Sequence, residues 1–243
     1  MSEIDIHGLS YTYPRGPTAL TNIHLRVSAG ESLGLVGPNG AGKTTLFRCL
    51  AGVLRVPPGV IRVAGLDPGH PAQRRSLPAK LGIVFQDSDD QIFQPTVFDD
   101  VAFGPLNLGL PADEVRQRVE DALRQVGLAG CEQRVPFHLS GGEKRRVALA
   151  GVLAMRPEIL LLDEPSMYLD PRGRRDLIRF LKGWPATRII AAHDLELILE
   201  TCSRAAVIDQ GHIVADGPAQ TILADRELME AHGLEVPLSL RRS

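Results

Sequence analysis

Apolar and polar residues alternate near the start of the chain. Ile4 and Ile6, then Ile23, Leu25 and Val27, sit at every second position with polar neighbours between them. That period of two belongs to half-buried antiparallel strands, so residues 4–35 predict strands. The pattern then changes. Residues 60–63, after a Pro57-Pro58-Gly59 turn, and residues 81–85 each predict a short strand. Ile159, Leu160, Leu161 and Leu162 are four apolar residues in a row, which suits a strand buried on both faces; residues 188–193 read the same way. Residues 205–208 and 213–215 flank Asp209-Gln210-Gly211-His212 and predict a hairpin around a glycine turn.

Helical spacing appears between these strands. Residues 45–51 are helix-compatible. In residues 112–126, Val115, Val119, Ala122, Leu123 and Val126 fall on one stripe with charged residues elsewhere. Ser140 followed by Glu143 forms a capping box that opens a helix over residues 144–155. Residues 218–232 predict one more helix, followed by a short tail to residue 243. Residues 73–78, rich in Arg and Pro, and residues 87–111, acidic and aromatic, read as loops. The fold class is therefore α/β. An N-terminal antiparallel β subdomain precedes the core, and a mostly helical insertion spans approximately residues 87–155.

Composition narrows this. The 243 residues suffice for one large α/β domain with an inserted subdomain. A net charge of −2 and a pI near 6.4 argue against a nucleic-acid footprint. Cys49, Cys131 and Cys202 are odd in number and far apart, which fits a reducing compartment rather than a disulfide framework. Met1-Ser2-Glu3-Ile4-Asp5-Ile6 is acidic without an apolar core, so no secretory signal is expected. No apolar run approaches the ~20 residues of a membrane helix. The expectation is a soluble chain able to dock on a membrane protein.

The chemistry centres on Gly37-Pro38-Asn39-Gly40-Ala41-Gly42-Lys43-Thr44-Thr45, which fits G-x-x-x-x-G-K-[ST] between a strand and a helix. Its glycines let successive N–H groups turn inward toward an anion, beside the positive end of a helix. Lys43 supplies a mobile charge for the β and γ phosphates. The Thr44 hydroxyl can ligate Mg²⁺, and Thr45 can donate to an inner phosphate. Upstream, Tyr11 and Tyr13 are either core residues or a platform on which an adenine ring stacks. Gly141 and Gly142 leave the amides at a helix start bare enough to receive a phosphate. Asp163 and Glu164 close a buried strand at the edge where open α/β sheets bind ligands. Asp163 would reach the Mg²⁺ at the P-loop, and Glu164, further out, could orient and deprotonate a water. His193 ends the next buried strand at the same sheet edge, where either a structural role or a γ-phosphate contact is open.

The P-loop, Gln86, the run from Leu139 to Glu143, Asp163-Glu164, Leu169-Asp170 and His193 occur in that order. This order resembles the motif series of ATP-binding-cassette (ABC) ATPases, over nearly the full length of residues 1–243. The resemblance implies a P-loop ATPase with the following roles. Tyr13 stacks on adenine. Residues 37–45 hold the phosphates. Thr44, Gln86 and Asp163 support Mg²⁺. Glu164 is the general base, with Lys43 and His193 at the γ-phosphate. Ser140, Gly141 and Gly142 contact the nucleotide held by a partner subunit, and Asp170 lies in the loop that crosses to it. Two copies, or two related chains, would close head-to-tail around two ATP molecules.

The stretch from Val84 through Gln86, Asp90-Gln91-Ile92-Phe93 and Pro95-Thr96-Val97 to Phe103-Gly104-Pro105 looks like the ATPases of energy-coupling-factor importers. Glu143-Lys144-Arg145-Arg146-Val147-Ala148 and Pro237-Leu238-Ser239-Leu240 look most like their cobalt/nickel branch. The resemblance implies a transmembrane coupling protein and a substrate-binding membrane protein as partners, at the cytoplasmic face of the membrane. Phe93, Phe98 and Phe103 are either subdomain core or an apolar groove for a helix of such a partner. Two alternatives share the motor: a vitamin importer, and a nucleotide-gated clamp in DNA repair or translation. The clamp fits poorly, because the chain has no long coiled coil, no second cassette and no basic surface. Tyr168 stands where most of the family carries a small residue before Leu169-Asp170.

Overall fold

The computed structural model describes residues 2–88 and 90–241. Two sheets share the work. Strands β1 (Ser2–Thr12), β2 (Thr18–Ser28) and β4 (Ile61–Val63) form an antiparallel sheet in the order β2-β1-β4. The alternation predicted for the N-terminus is present: Ile4 pairs with Val27 and Ile6 with Leu25, all buried. The second sheet holds β3 (Ser32–Val36), β5 (Leu81–Val84), β6 (Ile159–Asp163), β7 (Thr187–Ala191), β8 (Arg204–Asp209) and β9 (His212–Pro218). Its order is β5-β6-β7-β3-β8-β9, parallel except for the β8–β9 hairpin. Every residue of β3, β6 and β7 is buried, as strands covered on both faces require. The strand predicted over residues 188–193 stops at Ala191, and His193 stands in the loop beyond it.

Helices cover the parallel sheet. In chain order they are α1 (Lys43–Leu50), α2 (Pro71–Arg74), α3 (Val97–Asn107), α4 (Ala112–Gln125), α5 (Gly141–Ala154), α6 (Pro171–Gly183), α7 (Leu195–Thr201), α8 (Ala219–Ala224) and α9 (Arg226–Ala231). The apolar stripe predicted for α4 is its buried face. The capping box of α5 is complete, with the Ser140 side chain accepting from Glu143 N and the Glu143 side chain accepting from Ser140 N.

Three loop and helix expectations need correction. Residues 87–111 are not all loop, because α3 runs through them. Thr96 caps it by accepting from Asp99 N at 3.1 Å, Asp99 and Asp100 complement the helix dipole, and Val97, Val101, Ala102 and Pro105 bury one side. Gly104 and Pro105 disguised it in the sequence. Residues 73–78 are likewise not a plain loop: α2 ends inside them and a 3₁₀ turn, Leu77–Ala79, begins. The single helix predicted over residues 218–232 is two. Asp225 breaks it and caps the second half, accepting from Leu228 N at 3.0 Å. The tail continues into a 3₁₀ turn, Leu238–Leu240, with Ser239 Oγ donating to Glu196 at 2.7 Å; residues 242 and 243 lie outside the described residues.

Candidate nucleotide-hydrolysis site

The switch from β3 to α1 makes the loop. Two glycines are required there by space and conformation. A Cβ on Gly37 would stand 2.0 Å from the Ile208 carbonyl oxygen. Gly42 has φ +112°, and a Cβ on it would stand 2.6 Å from the Ala19 carbonyl oxygen. The β8–β9 turn braces the loop from below, with Gly211 N donating to Ala41 O at 3.0 Å. Lys43 is buried, and its Nζ donates to the carbonyls of Gly37 at 2.6 Å and Pro38 at 3.1 Å. Burial pushes the Lys43 pKa down, opposed by the charges of Glu164 and Asp163.

The carboxylates arrive at the end of β6. Asp163 is 1% exposed and accepts from Thr44 Oγ1 at 2.6 Å. Burial raises its pKa, against the Thr44 hydrogen bond and the nearby charges of Lys43, Arg145 and Arg48. Glu164 sits in the left-handed backbone region, φ +50°, held by its N–H donating to Ala191 O at 2.8 Å. One carboxylate oxygen, Oε2, accepts from His193 N at 3.1 Å. The other, Oε1, is buried without a hydrogen-bond partner among the described residues. Burial raises the Glu164 pKa too, opposed first by the His193 N–H. His193 turns its ring to the P-loop, with Nε2 2.8 Å from Asn39 Oδ1.

These groups line one cavity of about 540 Å³. Its walls include residues 39–45, Gln86, Asp163, Glu164, Ser166, Met167, His193 and Asp194. Gln86 is exposed and donates to Met167 Sδ at 3.4 Å. Tyr13 lies outside the wall but touches it, its hydroxyl 3.1 Å from Thr45 Oγ1. Ser140, Gly141, Gly142 and Asp170 are not among its walls. Ser140 and Gly141 are exposed at the start of α5, and the Asp170 side chain caps α6, accepting from Gly173 N at 2.7 Å. The carboxylate–hydroxyl pair Asp163–Thr44 supplies hard oxygen donors at one point, which fits Mg²⁺. Glu164 lines the cavity, and its Oε1 is a buried acceptor without a hydrogen-bond partner among the described residues, 3.6 Å from His193 Nε2, which fits a water.

Sequence reading passed over two residues. Arg145, buried on α5, donates to carbonyls at the end of β6 and at Gln86. The signal was a cation three and four positions before Ala148 and Leu149 on a buried face. Asp194 caps α7 and holds Arg174 with two bonds of 2.7 and 3.0 Å. Its only signal was its place after His193.

A largely parallel sheet whose P-loop faces an acidic strand end across a shared cavity defines a P-loop nucleotide hydrolase. The family model for "ABC transporter" matches residues 20–167. Over 239 residues the chain is 52% identical to a protein of Gloeobacter violaceus provisionally named an ABC transporter ATP-binding protein, covering 98% of each. It is 46% identical to the energy-coupling factor transporter ATP-binding protein EcfA of Methanothermobacter thermautotrophicus, covering 96% of this chain and 76% of that one. Among solved structures it matches cbiO1 of Clostridium perfringens, part of the ABC transporter complex cbiONQ, with a TM-score of 0.81 and 36% identity, covering 95% and 94%. The chain belongs to the ABC transporter ATPase family, in its energy-coupling-factor, CbiO-like branch. It is an ATP-binding, ATP-hydrolysing subunit. No helix among the described residues is long and apolar enough to cross a membrane.

Proposed function

We propose that this chain powers an energy-coupling-factor importer from the cytoplasmic face of the membrane, with cobalt or nickel ions as cargo. The carrying observation is the cavity itself: Lys43, Thr44, Asp163, Glu164 and His193 share it, while Ser140, Gly141, Gly142 and Asp170 do not. One chain thus presents a phosphate site and, elsewhere, an exposed helix start of the kind that caps a phosphate. A second ATPase subunit, identical or paralogous, supplies the missing half. Within residues 1–243, the helices between residues 87 and 155 form the subdomain that carries the signature, and residues 218–243 the short C-terminal part.

In this reading residues 37–45 cradle the triphosphate. Lys43 leaves the Gly37 and Pro38 carbonyls for the β and γ phosphates, and Tyr13 leaves Thr45 to stack on adenine. Thr44, Asp163 and Gln86 hold Mg²⁺, which when bound neutralises charge on the β and γ oxygens. Glu164 takes the proton of the attacking water, and the His193 N–H keeps its carboxylate aimed. Asp170 crosses to the partner subunit. The membrane side is the Phe93–Phe103 pair, edge to face at 4.9 Å, with exposures of 62% and 44%. Phe98 instead packs against the core. The exposed pair suits a helix of a transmembrane coupling protein, which in turn joins a substrate-binding membrane protein. The net charge of −2 supports a reading without nucleic acid.

The metal cargo rests on the resemblance at residues 143–148 and 237–240, and a vitamin importer is the alternative. The test is to purify the chain with its membrane partners, reconstitute them in vesicles, and follow ATP-dependent uptake of Co²⁺, Ni²⁺ and biotin. Metal uptake that stops without ATP is expected. Uptake of biotin alone replaces the cargo, and a chain that retains no membrane partner on purification and drives no uptake overturns the transport reading.

A further inference from the structure

Arg145 is 4% exposed, and a buried guanidinium is costly unless its donors are satisfied. Here four described bonds satisfy them, each ending on a main-chain carbonyl. Nε donates to Pro165 O at 3.1 Å, one terminal nitrogen to Gln86 O at 2.6 Å, and the other to Asp163 O at 2.7 Å and to Glu164 O. The cation is therefore spent on holding backbone. It joins two segments that have no covalent reason to keep their spacing: the loop after β5, and the end of β6. The Gln86 side chain reaches Met167 Sδ at 3.4 Å, a weak acceptor, so its main chain is the firmer anchor. A planar fork with donors on three nitrogens can span these four oxygens; an ammonium, with all its donors on one atom, cannot.

We propose that Arg145 is a positioning residue for hydrolysis: its guanidinium, carried on α5, fixes the Gln86 backbone against the Asp163–Glu164 strand end. This rests on the reading above, in which Gln86 helps hold Mg²⁺ and Glu164 takes the proton of the attacking water. The same helix starts with Ser140 and Gly141, so the fork also ties the exposed helix start to this chain's own reaction site. Misplacing a reacting group by about 1 Å costs on the order of 100-fold in rate.

The experiment is a double-variant cycle on the full chain with its partners, with ATPase rates normalised to folded, nucleotide-binding protein. Arg145→Lys should lower kcat roughly 10- to 100-fold while changing ATP affinity less than about 3-fold. Arg145→Met should be worse; if it fails to fold, the Lys variant carries the test. In a Gln86→Ala background, Arg145→Lys should cost less than about 3-fold further, because the group being placed is gone. A purely structural role would lower the melting temperature and multiply independently with Gln86→Ala. Independent multiplication beside an impaired Gln86→Ala overturns the role of Arg145 alone. A Gln86→Ala variant with unchanged turnover and Mg²⁺ dependence overturns both the reading of the site and this proposal.

Discussion

Replacing Glu164 by Gln tests the site at its centre. The change removes the charge and keeps the shape. Oε2 accepts one hydrogen bond, from His193 N at 3.1 Å, and a Gln oxygen can accept it equally well. Oε1 has no hydrogen-bond partner among the described residues and only a 3.6 Å approach from His193 Nε2, so replacing it by an amide nitrogen breaks no hydrogen bond. Nothing that holds the P-loop is touched, so ATP affinity should stay within about 3-fold. In the proposed reading the water then loses its base. General-base removal costs about 10²–10⁴ in kcat, or about 2.7–5.4 kcal/mol of barrier. The measurement is phosphate release at saturating ATP, beside calorimetric ATP affinity.

The raised pKa of Glu164 adds a pH signature. A carboxyl whose folded pKa lies above its unfolded value binds its proton more tightly when folded. Its ionisation therefore destabilises the fold above the folded pKa, and that penalty vanishes as pH falls. Glu164→Gln should accordingly melt no lower than wild type near pH 7.5, and the difference should shrink toward acid. The acid limb of the wild-type kcat/KM profile, which reports the free chain, should lie above that of an ordinary Glu and disappear in the variant. A variant that hydrolyses ATP at the wild-type rate, or that melts many degrees lower at pH 7.5, would refute the reasoning.

Three further outcomes are expected. Gly42→Ala forces an L side chain to φ +112° against the Ala19 carbonyl, so it should cost about 1–3 kcal/mol, roughly 2–4 °C of melting temperature per kcal/mol, and weaken ATP binding; an unchanged thermal midpoint would count against it. Phe103→Asp should release the chain from membranes while sparing basal ATPase, read by co-sedimentation with co-expressed partners; continued co-sedimentation removes the docking surface. The Glu143 pKa is held down at about 2 by Ser140 N, by the Arg134 guanidinium and by the Ser140 hydroxyl. A depressed carboxyl stabilises above its unfolded pKa and loses that contribution as pH falls through its folded one. The stability of wild type over Glu143→Ala should thus be full above about pH 5 and fade toward pH 2, measured by urea unfolding; a pH-independent difference would contradict the assignment.

Much of this was legible because each signal was local. A period of two marked β1 and β2, and an unbroken apolar run marked β6. Ser140 and Glu143, three positions apart, marked the start of α5. What stayed hidden depended on distant partners. Helix α3 was masked by Gly104 and Pro105, and its real signals, Thr96 ahead of Asp99 and the buried Val97 and Val101, needed a core to face. Helices α6 and α7 open on two caps, Asp170, first read only as part of a loop to a partner subunit, and Asp194, which drew no reading at all. Arg145 looked like one cation among three. Only the return of β6 beside Gln86 gives its fork four carbonyls to hold.

The same geometry explains why a hydrolysis site would be left incomplete within one chain. Asp163 and Glu164 are buried at the cost of their ionised forms, as the upward direction of both pKa values records. Lys43 is buried at the cost of its charge as well, and it rests on two carbonyls rather than on either carboxylate. All three groups thus sit where their charged forms are disfavoured, and in the proposed reading a phosphate chain offsets this for Lys43 and Mg²⁺ for Asp163. Binding is favoured by that relief within one chain. Hydrolysis, in the proposed reading, additionally waits for Ser140 and Gly141 of a partner, because this chain's own Ser140 and Gly141 are exposed and do not line its cavity. In that reading, separating the two requirements lets ATP load the chain before the partner arrives, so closure rather than loading becomes the step that membrane partners control.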